Sequence, residues 1–120
     1  MALIDKATVE NVIRLADKAN SSSYKAELFE KSPEWECLLT YIETLPFESI
    51  IDLLFLRDCG RDEMGMREET ASALKAEQYK KGLYATFRGE DGKKRAAYHL
   101  AEHCSSLPKH LRSACELLHL

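Results

Sequence analysis

The stretch FESIIDLLFL, Phe47 to Leu56, constrains this chain more than any other. Wound as a helix of about 3.6 residues per turn, it places Phe47, Ile50, Ile51, Leu53, Leu54, Phe55 and Leu56 around most of the circumference. A helix apolar on nearly every side cannot lie on a surface with one face in water; other elements must surround it. Asp52 interrupts the run, and no stretch of the chain approaches the roughly 18–20 apolar residues that a membrane span requires. The run therefore predicts a central helix in a core supplied by the rest of the 120 residues.

The flanking sequence supplies the surrounding elements. Val9, Val12, Ile13, Ala16 and Ala19 recur at three- and four-residue steps and share one helix face. Asp5 or Thr8 can cap its start, and Asn20 with Ser21-Ser22-Ser23 breaks it. A short helical turn is expected around Tyr24–Glu30. Ser32-Pro33-Glu34 is a helix start, because serine caps an orphan amide and proline lacks an N–H where none is needed. Trp35, Leu38, Leu39, Ile42 and Leu45 form the next stripe, and Pro46 separates it from the central helix. Gly60 reads as that helix's left-handed stop. Residues 64–81 read as an amphipathic helix with Met66, Thr70, Ala73, Leu74 and Tyr79 inward, closed by Gly82. Leu83, Tyr84, Thr86 and Phe87 favour extended backbone, but a lone strand makes no sheet, so 83–90 reads as a structured loop. Asp91 caps a helix through Cys104 with Ala97, Leu100, Ala101 and Cys104 inward. Pro108 opens a last helix striped by Leu111, Ala114, Cys115 and Leu118. The expected fold is all-α, a single domain over 1–120 built as a compact bundle of five or six helices with short connections.

Composition narrows the class. At 45% hydrophobic and 31% charged, the chain reads as an ordinary globular domain. The N-terminus MALIDKATVE lacks a basic start followed by an apolar run, so a cytoplasmic protein is expected, with no membrane partner. Cys37, Cys59, Cys104 and Cys115 contain no C-x-x-C pair and sit beside apolar residues, which favours buried thiols over disulfides. The net charge is −3, unevenly divided: residues 1–66 carry seven Lys/Arg against thirteen Asp/Glu, residues 67–120 ten against seven. The two halves neutralise each other if they pack together.

Three stretches carry a resemblance. ATVENVIRLADKA (Ala7–Ala19) has a T-V-x-x-[VI]-I pattern. LLTYIETLPFESIIDLLFLRDCGRDE (Leu38–Glu63) runs from an L-x-x-x-I-x-x-L helix through a tight turn and an apolar helix to a glycine-arginine ending. AAYHLAEHCSSLPKHLRSACELL (Ala96–Leu118) carries paired closing helices on either side of a proline, Pro108. In order and spacing these resemble the small bacterial domain-of-unknown-function family 3775, with Tyr79–Lys94 as an addition to its pattern. The resemblance implies an all-helical fold. That family has no assigned activity and does not feature the two histidines discussed next.

His99-Leu100-Ala101-Glu102-His103 reads H-x-x-E-H, the spacing of inverted zinc proteases. Two histidines four apart share a helix face, and Glu102 could ligate or activate water. Zinc is therefore the one cofactor that the sequence suggests. A catalytic site needs three protein ligands and an open position, and Cys104, His110, Cys115 or His119 could add to the set. The bland reading is two boundary histidines, since the inward face already consists of Ala97, Leu100, Ala101 and Cys104.

A second candidate is KAEQYKKGLYATFRGEDGKKR, residues 75–95, with seven Lys/Arg and three acids interleaved with Tyr79, Tyr84 and Phe87. Basic grooves with stacking aromatics bind single-stranded nucleic acid, although the acidic overall charge opposes this. A third is the charged end of the central helix, where Arg57, Arg61 and Asp62 could pin a connection or bind an anion. A Cys104–His110 nucleophilic pair is conceivable; no glycine-rich phosphate loop and no G-x-S-x-G elbow is present.

The leading expectation is a small helical interaction module, a regulator or inhibitor that contacts another protein or its own copy. Its candidate contacts are Arg57, Arg61, Asp62, Lys80, Lys81, Tyr84, Arg88, Lys93, Lys94 and Arg95. By analogy, small inhibitors of nucleoprotein machines, phage proteins among them, share this profile. The alternatives are a metal-binding or zinc-dependent hydrolytic protein built on His99, Glu102 and His103, and a nucleic-acid binder using residues 75–95. The apolar surplus of residues 47–56 inclines the expectation toward a homodimer.

Overall fold

A computed structural model of the chain describes residues 5–21, 33–61 and 73–117. Among these it contains six helices and no strand: α1 (Lys6–Ser21), α2 (Pro33–Thr44), α3 (Phe47–Arg61), α4 (Ala73–Thr86), α5 (Gly92–Glu102) and α6 (Leu107–Leu117). The fold is the all-α bundle that the periodicities predict. The helical turn expected at Tyr24–Glu30, and residues Asp62, Met66, Thr70 and Leu118, lie outside the described residues. No described helix is long and apolar enough to cross a membrane.

Helix α3 is the axis of the bundle. Every residue from Ile50 to Gly60 is buried, with α4, α5 and α6 packed against it. Helices α1 and α2 pack on each other, α1 also meets α6, and α2 also meets α5. One chain thus absorbs the apolar surplus that inclined the sequence reading toward a dimer. Burying a Leu, Ile or Phe side chain is worth about 1.5–3 kcal/mol, and α3 alone contributes Ile50, Ile51, Leu53, Leu54, Phe55 and Leu56 to the core. The inward stripe of α1 is Val9, Val12, Ile13 and Ala16, with Asp5 Oδ1 accepting the Thr8 amide at 3.0 Å as its cap. Helix α2 buries Trp35, Leu38 and Ile42. The Trp35 indole donates to the Ala101 carbonyl at 2.7 Å, a bond that ties α2 to the last turn of α5.

Five sequence expectations are corrected. Gly60 does not end α3; it is a helical residue at the crossing with α6, where a Cβ would sit 1.7 Å from the His110 carbonyl oxygen. Its role is close approach of two backbones, for which only a missing side chain suffices. Gly82 does not end α4, which continues to Thr86. The expected loop at 83–90 is therefore helical over its first half. Leu83 and Phe87, one turn apart, pack against the core, and burial outweighs the weak extended preference of these residues. The turn comes later, at Gly89, whose φ is 99°. Asp91 precedes α5 but makes no side-chain capping bond. Of the four cysteines only Cys59 is buried; Cys37 is exposed and Cys104 and Cys115 are half-buried, with no disulfide among them.

The uneven charge of the two halves is partly cancelled by packing. Asp52 of α3 pairs with Lys80 of α4. Asp17 of α1 pairs with Arg112 of α6 at 2.5 Å.

Candidate functional site

Helix α5 carries the candidate chemistry, because its inner face is committed to Ala96, Ala97, Leu100 and Ala101. Three- and four-residue spacing then turns Arg95, Tyr98, His99, Glu102 and His103 toward its flank and outer side. Tyr98 and Tyr84 are the large apolar side chains exposed on the described surface, at 44% and 38%. Tyr98 is held edge-on against Trp35, with ring centroids 5.7 Å apart.

Tyr98 lies in a groove of about 640 Å³ between α2 and α5. Leu39 and Glu43 come from α2, Phe87 and Asp91 from the turn before α5, and Lys94, Arg95, Tyr98, His99 and Glu102 from α5. The Arg95 guanidinium sits over the Phe87 ring at 5.9 Å and donates to the Arg88 carbonyl at 2.6 Å. The groove lining thus combines aromatic rings with charges of both signs, three carboxylates against two permanent cations. A larger depression of about 930 Å³ lies between α1 and α6. It is ringed by charges, two of them the paired Asp17 and Arg112, and displays no exposed aromatic. The α2/α5 groove is the better binding site on chemistry.

Two of the groove's lining residues, His99 and Glu102, come together with His103. The potential ligand atoms of the three lie within 4.8 Å of one another. The two imidazole centroids are 4.7 Å apart, and His103 Nε2 is 3.9 Å from Glu102 Oε1. His99 is half-buried against Phe87, while Glu102 and His103 are exposed. Arg57 Nη1 lies 3.3 Å from His99 Nε2. A guanidinium can only donate, so Nε2 is the acceptor and the proton of the neutral ring sits on Nδ1. Burial, then the Arg57 and His103 charges, hold the His99 imidazole below its usual range.

Arg57 also connects this surface to the interior. It donates to Asp58 Oδ1 through Nη2 at 2.7 Å and Nε at 3.1 Å. Arg61 reaches the same oxygen at 3.4 Å, and the Tyr79 hydroxyl donates a short bond to Asp58 Oδ2. Burial and the adjoining Asp58 carboxylate push the Tyr79 phenol well above its usual range and the Cys59 thiol up to about 12.

The sequence candidates therefore divide. Arg57 and Lys80 are not surface contacts: both are turned inward and occupied, by Asp58 and Asp52. Arg61, Lys81, Tyr84, Arg88, Lys94 and Arg95 are exposed and Lys93 is half-buried, but only Lys94 and Arg95 line the groove. Asp62 lies outside the described residues. Two of the three aromatics of the proposed base-stacking segment face inward: Tyr79 packs on Phe55 and Phe87 on the core. Cys104 Sγ donates to Asn20 Oδ1 at 3.6 Å. Sequence reasoning missed Tyr98 and Glu43. Tyr98 stands outside α5's inward stripe, a signal that was available; the position of Glu43 beside α5 follows only from the helix packing.

Comparison with protein-family models gives no match, and comparisons with curated proteins and with solved structures give none either.

Proposed function

We propose that the protein is a small helical binding module that docks another protein in the α2/α5 groove. The observation that carries this reading is Tyr98, an exposed aromatic braced by Trp35 in a groove lined by charges of both signs. Interface anchors are enriched in Tyr, Trp and Arg, set in preformed pockets and ringed by polar groups. Tyr98 and Arg95 supply those residue types. Glu43, Asp91 and Glu102 in the same groove disfavour a nucleic-acid backbone, which requires neutralisation by cations. The partner chemistry that fits is an apolar side chain flanked by both basic and acidic residues.

Membership in the family of unknown function named above belongs to the same proposal. Its support is that the three resembling stretches fall on α1, on α2 with α3, and on α5 with α6. It adds no activity.

The test is photo-crosslinking in cells with a benzoylphenylalanine at position 98 and, as a control, at exposed Glu77. A discrete adduct at 98, absent at 77 and lost on Arg95→Glu, is the expected result. Indistinguishable adduct patterns at the two positions would refute the groove as the docking site.

A further inference from the structure

We infer that His99, Glu102 and His103 form a binding site for a divalent transition cation of the zinc type. Nothing in the docking reading requires it, and it stands on separate observations. The three donors occupy one helix turn, at i, i+3 and i+4, and their ligand atoms already lie within 4.8 Å of one another. Closing them onto a metal at bonds of about 2.0–2.2 Å takes side-chain rotation and no backbone movement, since Glu102 and His103 are exposed.

The donor set selects the ion. Two imidazoles and a carboxylate suit zinc, nickel and copper. Calcium and magnesium demand an all-oxygen shell. The place in the helix also favours a cation, because the site occupies the last turn of α5, where the helix dipole is negative. Three protein ligands leave positions for water, so the site binds in an open form.

Arg57 sets the strength. It holds the Nε2 lone pair of His99 at 3.3 Å, and a metal taking that lone pair displaces it. Asp58, bonded twice to Arg57, tempers the repulsion between guanidinium and metal. The cost of releasing Arg57 makes the site a weaker one than the same donors would form with a free imidazole.

The experiment uses the full chain without an affinity tag, in chelator-free buffer, with zinc chloride as the probe. Calorimetry should give one zinc per chain, and saturating zinc should raise the melting temperature. His103→Ala and Glu102→Gln remove exposed groups, so both variants should keep the wild-type circular dichroism and metal-free melting temperature. Each should weaken zinc binding by about tenfold or more, the size of effect that even ligand-supporting residues show. Failure of zinc to bind the wild type in the micromolar range would overturn the inference. So would equal binding by wild type and His103→Ala, which would place the ion elsewhere in the chain.

Discussion

Two glycines of the same chain carry opposite predictions. Gly60 sits in α3 with the His110 carbonyl where its Cβ would be. Gly60→Ala, which improves an isolated helix, should here destabilise by about 1–3 kcal/mol or more because two helices must separate. Gly82 sits in α4 with nothing within 4 Å of its Cβ position, so Gly82→Ala should stabilise by about 0.5–1 kcal/mol through helix propensity alone. Urea titration of the two variants checks both signs. At the same scale, Tyr79→Phe removes the donor to Asp58 Oδ2 and should cost about 1–3 kcal/mol. Both glycines read from sequence as helix stops. Neither reading could have been otherwise, because a glycine's neighbours across a helix crossing are not written beside it in the chain.

At the scale of elements, the legible features were those that one face of one helix determines. The stripes of α1 and α2, the start of α2 at Pro33 and the all-round burial of α3 follow from spacing alone. The end of α4 did not. Leu83, Tyr84, Thr86 and Phe87 score as extended, yet the first three are helical, with Leu83 packed against the core and Tyr84 edge-on to Phe47 of α3; Thr86 Oγ1 bonds back to the Gly82 carbonyl at 3.0 Å within that turn. The candidate site was half legible for the same reason. H-x-x-E-H is local and visible, while Arg57, 42 positions earlier than His99, reaches it through the α3/α5 packing. The α3/α4 junction yields a further prediction. Lys80→Ala removes one cation from buried Asp52 and should cost up to about 3–5 kcal/mol, whereas Asp52→Leu combined with Lys80→Met should recover most of that loss. A double-mutant cycle by chemical denaturation measures the difference.

For the whole molecule, acid should weaken the fold. Burial, then the cations Arg57, Arg61 and Lys109, hold the His110 imidazole below its ordinary value of 6.5, against a smaller opposing effect of Asp58. As pH falls through that ordinary value the unfolded chain takes up a proton that the folded chain refuses. The unfolded state then binds more protons, so stability drops with acidification until the folded pKa is reached. Thermal melts between pH 7.5 and 5 should show this slope, and His110→Gln should flatten part of it. The mass in solution belongs to this scale too. Since one chain buries the apolar run of α3 from Ile50 to Leu56, light scattering at micromolar concentration should report a monomer.

An apolar cylinder has no preferred rotation about its own axis; leucine and isoleucine at neighbouring positions would fill the same space after a twist. Asp52 and Asp58, carried six residues apart on α3 and met by Lys80, Arg57 and Tyr79, make one rotational setting distinguishable from the others. Evolutionary drift should therefore treat the two classes of α3 residue differently. Its hydrocarbon positions can trade identities one at a time, while positions 52 and 80 should change together or not at all, a linked pair to be sought in any set of related sequences.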